Sequence, residues 1–158
     1  MPAKSSALRL PGFVPFRLNR LAAAVSSHLS AIYRERFGLE ISSWRVLVTV
    51  APAGGCTAQQ IAASTRMHKT RVSRAIADLV AKGWIERAAN AADRREMPLQ
   101  LTRAGRRIYS ELVPLALERE RALLACMSRE ELRSFVVGLD RLETFLGLAG
   151  DETPEPEK

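Results

Sequence analysis

The sequence predicts a mainly α-helical chain interrupted by one small β-hairpin. Apolar residues recur at helical spacing along most of the 158 residues, and strand-like alternation is confined to one short stretch near the middle. Between those patterns stand the expected start and stop residues, Ser or Thr before helices and Gly after them. The charge is as local as the hairpin. Residues 61–110 hold eleven Lys or Arg against four acidic residues, while the rest of the chain carries thirteen of each, so the whole net charge of +7 comes from this third.

Taken in order, residues 16–37 carry an apolar stripe at Leu18, Leu21, Val25, Leu29, Ile32 and Tyr33, closed by Gly38. Ser42 or Ser43 is placed to cap a short apolar helix, WRVLVTVA, which Pro52 and the Gly54-Gly55 turn should stop. Thr57-Ala-Gln-Gln60 reads as a capping box opening a helix of barely two turns. A tight turn leads into a basic amphipathic helix that runs to Lys82 and closes at Gly83. Its apolar face is expected at Val72, Ile76, Leu79 and Val80. Trp84–Arg87 reads as a strand, and Met97, Leu99 and Leu101 alternate as its partner. Pro98 has no amide to donate, so this second strand should lie at an edge or leave that position exposed. Thr102 can cap a long helix over 103–126, with Ile108, Leu112, Leu115 and Leu123 on its apolar side and Pro114 expected to kink it or mark an irregular turn. Ser128–Glu131 is a second capping box, opening a last helix with Leu132, Phe135, Val136, Leu139, Leu142 and Phe145. The tail from Gly150 is rich in Pro and Glu, a composition that predicts disorder.

A short helix, a tight turn and a longer helix with polar early residues form a helix-turn-helix, and the hairpin behind it is a wing. The second helix of such a pair enters the DNA major groove. Lys69, Thr70, Arg71, Ser73 and Arg74 are placed to meet base edges or phosphates there. His68 stands just before them, and Thr57 and Gln59 at the start of the short helix join the same candidate surface. The loop between the strands carries Arg94 and Arg95, suited to a narrow, electronegative minor groove. Asp93 is expected to hold Arg95 through a charge-assisted pair. Basic residues sorted onto one unit suit double-stranded DNA, because they displace its condensed counterions. The first helix and the last two are apolar enough to predict burial against a second copy of the chain, the alternative being that they pack on their own domain.

These residues also resemble a known family. TAQQIAAST, MHKTRVSRAIADLVAKGWIER, the Asp93–Arg95 pair and Leu101-Thr102 followed by Gly105 resemble the MarR family of transcriptional regulators across residues 15–147. The resemblance implies a winged helix-turn-helix plus a helical dimerisation region. The divisions are then an arm at 1–15, a first dimerisation helix at 16–40, the DNA-binding domain at 41–102, further dimerisation helices at 103–148 and the tail at 149–158. It implies a homodimer on a pseudo-palindromic operator, usually repressing, and released by a small, aromatic or anionic effector held in a cleft between the dimerisation helices and the winged helix. Many members have Asp before the recognition-helix Lys. Here His68 stands there, a poorer cap that could meet a phosphate, sense pH or sit as a solvated turn residue. For the effector cleft, His28, Tyr33, Ser43, Trp44 and Arg45 are candidates. Arg45 can hold a carboxylate and Trp44 can stack on a ring, although core packing, a surface ion pair and plain exposure account for Trp44, Arg45 and His28 as well.

Other classes find little support. No apolar run is long enough to span a membrane, and the N-terminus lacks the apolar core of a secretion signal, so a cytoplasmic protein is expected. Two His and no His/Cys/Asp/Glu grouping at ligand spacing leave no metal site, no cofactor and no enzyme to propose. Cys56 and Cys126 match no redox or metal spacing, and neither sits near the start of the first helix, where thiol-sensing family members carry theirs. The alternative from another class is a winged helix without an effector, used as an architectural or protein-binding module.

Overall fold

The computed structural model describes residues 8–52, 55–88 and 98–148. It holds a 3-10 turn at Leu10–Gly12 and then α1 (Val14–Phe37), α2 (Ile41–Val50), α3 (Ala58–Thr65) and α4 (Lys69–Ala81). The strands β1 (Ile85–Arg87) and β2 (Leu99–Leu101) follow, then α5 (Arg103–Leu124) and α6 (Arg129–Phe145). This is the predicted class, helices around one antiparallel hairpin. The chain divides into two units after Ile41.

The first unit is α1 with the turn before it. Burial along α1 is graded: Leu18 and Leu21 are exposed, Val25 and Leu29 half-buried, and Ile32 and Tyr33 buried. Gly38 ends the helix in the left-handed region at φ 59°, as its position predicts. Burial pushes the Tyr33 hydroxyl above its ordinary pKa.

The second unit holds the winged helix. Its core is Val46, Leu47 and Val50 of α2, Ile61 of α3, Val72, Ala75, Ile76 and Leu79 of α4, Ile85, Leu99 and Leu101 of the strands and Leu112 of α5. Full burial of each Val, Leu or Ile contributes ~1.5–3 kcal/mol. α2 begins at Ile41, so neither Ser42 nor Ser43 serves as its cap. Ser43 instead lies buried one turn in, and its hydroxyl donates to Asp78 Oδ2 of α4 at 2.9 Å. Asp78 also accepts from Lys82, so one carboxylate ties α2 to α4 and steadies the end of α4.

The buried face of α4 is as wide as the sequence predicts but rotated around the helix. Val80 is 45% exposed, and Ala75 is buried in its place. At about 100° per residue, Val80 lies roughly 80° from Val72 around the helix, past the contact edge, whereas Ala75, Ile76 and Leu79 fall within about 60° of it. Closure follows expectation. Gly83 takes φ 69°, its amide donates to the Val80 carbonyl and the Trp84 amide reaches the Leu79 carbonyl, a Schellman cap.

That cap sets the start of the hairpin. Trp84 is spent on the turn, so β1 begins at Ile85 and pairs in the register Ile85↔Leu101, Glu86↔Gln100, Arg87↔Leu99. Among the described residues β2 is one strand of a two-stranded sheet, the edge position that Pro98 allows, with a single residue bridged on its other side. On its far side Leu99 exchanges both backbone hydrogen bonds with Cys56, at 2.9 and 3.1 Å, which leaves β2 between β1 and that bridge. Pro98 is tolerated because it precedes the strand and only accepts, its carbonyl taking the Ala88 amide at 2.9 Å. Met97 lies outside the described residues.

Thr102 starts α5 as predicted, its hydroxyl accepting from the Gly105 amide at 3.0 Å and donating to the Gly83 carbonyl at 2.7 Å. Its own amide donates to the Trp84 carbonyl at 3.0 Å. The helix continues through Pro114 and ends at Leu124, two residues earlier than expected. Pro114 and Ser110, whose carbonyl its ring leaves unbonded, are both exposed, so water can satisfy that carbonyl and the helix persists. Ser128 and Glu131 form the predicted reciprocal box at the head of α6. Hydrogen bonds from the Ser128 amide and side chain hold the Glu131 carboxyl below its ordinary pKa. α6 itself has no buried residue; Phe135, Val136, Leu142 and Phe145 are all exposed.

Candidate nucleic-acid interface

The site is built on α3 and α4, which pack directly on each other. α3 opens with the predicted capping box: Thr57 Oγ1 accepts from the Gln60 amide at 3.2 Å, and Gln60 Oε1 accepts from the Thr57 amide at 2.8 Å. The Thr57 side chain is therefore committed to the cap, while Gln59 is exposed beside it. The turn to α4 passes through Arg66 in the left-handed region, φ 53° and ψ 25°, and then through buried Met67, which anchors it. A residue with a Cβ takes that region at a cost of ~1–2 kcal/mol.

His68 is the N-cap of α4. It sits in extended backbone, and its Nδ1 accepts from the Thr70 amide at 3.3 Å. The acceptor must be an unprotonated nitrogen, so the neutral ring carries its hydrogen on Nε2. Replacing His68 with Ala is expected to lower stability by ~0.5–1 kcal/mol. Asn, a better cap, should restore the melting temperature; equal losses in both variants would show that the ring caps nothing.

From this cap the helix sorts its side chains. Val72, Ala75, Ile76 and Leu79 turn inward, while Lys69, Thr70, Arg71, Ser73, Arg74 and Ala77 are exposed. The structure thus brings five of the predicted DNA-reading residues onto one solvent-facing surface. Lys69, Arg71 and Arg74 have no acidic partner among the described residues. From Ile41 to Ala77 the chain holds five basic residues and no acidic one. Uncompensated cations at the head of a helix oppose its dipole and one another, so this arrangement serves an anionic partner better than it serves the fold. Asp93, Arg94 and Arg95 lie outside the described residues.

The effector candidates separate by unit. In the first, His28 is exposed and Tyr33 buried. In the second, Trp44 is half-buried, Arg45 is exposed, and the Ser43 hydroxyl is engaged by Asp78. Among the described residues no group of His, Cys, Asp and Glu is arranged to hold a metal. No helix among them is long and apolar enough to cross a membrane. The Cys56 thiol is pushed up to about 11 by burial and donates to the Thr49 carbonyl at 3.5 Å, so it holds almost no thiolate near neutrality. DNA binding is therefore expected to be indifferent to mild peroxide in the parent and in Cys56→Ser and Cys126→Ser. Release that disappears in one of those variants would assign a sensor role to that thiol.

The geometry is shared with known proteins. Residues 37–96 match the MarR family. The HTH-type transcriptional regulator YwoH of Bacillus subtilis is 32% identical over 101 residues, which span 64% of this chain and 73% of YwoH. The chain belongs to the MarR family. A solved MarR/EmrR family transcriptional regulator from Acinetobacter superposes with a TM-score of 0.79 at 26% identity, covering 89% of this chain and 99% of that one. A probable transcriptional regulator from Pseudomonas aeruginosa gives 0.74 at 26%, covering 85% and 99%. This MarR-family chain is a DNA-binding transcription regulator with a winged helix-turn-helix.

Proposed function

We propose that the chain acts in the cytoplasm as a homodimeric repressor that binds a pseudo-palindromic operator and leaves it when a small aromatic or anionic effector binds. The observation that carries this reading is the exposed cationic face at the start of α4, without an acidic partner among the described residues and set opposite a packed face. Placed in a major groove, Lys69, Arg71 and Arg74 would meet phosphates and guanine edges, with Thr70 and Ser73 between them. Thr57, Gln59 and the Nε2 side of His68 would contact the flanking backbone, and Arg94 and Arg95, steadied by Asp93, the minor groove.

Dimerisation is supported by apolar surface at both ends of the chain. Phe13, Val14, Leu18 and Leu21 are exposed at the head of α1, and Phe135, Val136, Leu142 and Phe145 along α6. Large apolar side chains left in water along these helices favour burial against a second copy of the chain. A MarR family regulator from Listeria monocytogenes, TM-score 0.75 at 18% identity, was crystallised with a 26mer DNA. The Mycobacterium tuberculosis MarR family protein Rv2887, 0.68 at 20%, was crystallised with salicylic acid. An aromatic carboxylate is accordingly the first effector class to try, with Arg45 and Trp44 as its candidate partners.

The test is selection of bound sequences from random duplex DNA at two salt concentrations. An inverted repeat with half-sites about one helical turn apart supports the reading. Salt-sensitive binding without a motif would leave an architectural winged helix instead.

A further inference from the structure

Asp78 is the one acidic residue on α3 and α4. On a helix flank a carboxylate meets side chains three or four positions away. The positions in reach are Arg74, Ala75, Ala81 and Lys82, so two cations compete for it. Lys82 holds it: its ammonium donates to Asp78 Oδ1, and acid before base is the better order for such a pair along a helix. The other oxygen is taken from outside the helix, by the buried Ser43 hydroxyl of α2 at 2.9 Å. Arg74, one turn before Asp78 and in the poorer order, stands exposed without an acidic partner among the described residues.

We propose that Ser43 and Lys82 are positioning residues for DNA binding: by holding both oxygens of Asp78 they keep the recognition helix's own carboxylate off Arg74. The inference rests on the DNA-binding reading of Arg74 above and deepens it, since it assigns what leaves that guanidinium open. A guanidinium is a strong partner for any carboxylate in reach, and a pair formed on the helix has to break before DNA is met. Ser43 suits the task because a hydroxyl occupies one oxygen without placing a further charge beside α4. Its burial near the head of α2 holds the hydroxyl in place.

The test is a mutant cycle on the full chain, titrated onto a labelled mixed-sequence duplex at fixed salt, with melting temperatures measured in parallel. Ser43→Ala combined with Lys82→Gln releases the carboxylate to turn towards Arg74, and this double variant is expected to bind about twofold more weakly per bound chain. Asp78→Asn has no charge to offer Arg74, so adding it to the double variant should restore the affinity. That gain should exceed the gain from Asp78→Asn in the parent, where removing one negative charge favours any duplex. Equal gains in the two backgrounds would reduce the carboxylate to net charge and overturn the inference. Parental affinity in the double variant would overturn it as well. A lower melting temperature with no recovery by Asp78→Asn would leave the Ser43 bond as a tie between α2 and α4 only, and the inference would fall. In an Arg74→Ala background the double variant should cost nothing further; an undiminished cost there would place the lost contact at Lys82 itself and overturn the inference. Arg74→Ala binding like the parent would withdraw Arg74 from the DNA contact, and a parent that binds no duplex would overturn the DNA-binding reading as a whole; the inference falls with either.

Discussion

Gly105→Ala is expected to destabilise the protein by ~3 kcal/mol, although the same change in an unconstrained helix would stabilise it by up to ~1 kcal/mol. A Cβ built at Gly105 would stand 1.9 Å from the Trp84 carbonyl oxygen and 2.8 Å from its carbon. Both clashing parties are backbone, so no rotamer change relieves the contact. α5 would have to move away from the strand, and its first turn is held there by three bonds. The Thr102 amide donates to that same Trp84 carbonyl, the Thr102 hydroxyl donates to Gly83, and the Gly105 amide donates back to Thr102. Any shift that clears the methyl strains all three, each worth ~1 kcal/mol. For a chain of this size the loss corresponds to a fall of roughly 6–12 °C in melting temperature. A temperature equal to the parent's would mean that α5 slides over Trp84 without cost, and the close approach would lose its structural meaning.

The same crossing explains what could be read from residues alone. Capping chemistry is local, and it was legible: Thr57 with Gln60, Thr102 with Gly105 and Ser128 with Glu131 all form as their spacing predicts. Each depends on residues within three positions of one another, and no distant contact competes for them. Ser43 shows the limit. Its local pattern allows a cap, but a carboxylate 35 residues away takes its hydroxyl and α2 starts earlier. Leu99 shows it again, since its second bridging partner is Cys56, a residue with no strand signal of its own. Val80 is a matter of degree: the periodic pattern gives the width of a face, but its exact direction, with Ala75 in and Val80 out, is determined by the neighbours of α4. On the site itself the order of the recognition residues was legible, because charge and helical phase are properties of one segment.

That phase gives the second large effect, a loss of DNA affinity without a loss of fold. Arg74 is exposed, lies two residues from buried Val72 and Ile76, and has no ion-pair partner among the described residues, so Arg74→Ala removes no core contact and no salt bridge. Its melting temperature should stay within the spread of surface substitutions, about 0.5 kcal/mol. If its guanidinium reads a guanine through O6 and N7, its loss costs ~1–3 kcal/mol for each half-site. Two copies on a symmetric operator then lose about 2–6 kcal/mol together, provided the half-sites are independent. Discrimination should relax at one position of each half-site and hold at the others. Leu79→Ala makes the opposite contrast: a fully buried side chain on the other face, expected to cost ~2–5 kcal/mol of stability through the cavity it leaves while the surviving folded chains keep their sequence preference. Stability and specificity would then divide along the two faces of one thirteen-residue helix. An Arg74→Ala protein with weakened binding but unaltered preference would move Arg74 from base reading to phosphate binding, and the reading face would have to be sought one turn earlier, at Thr70 and Arg71.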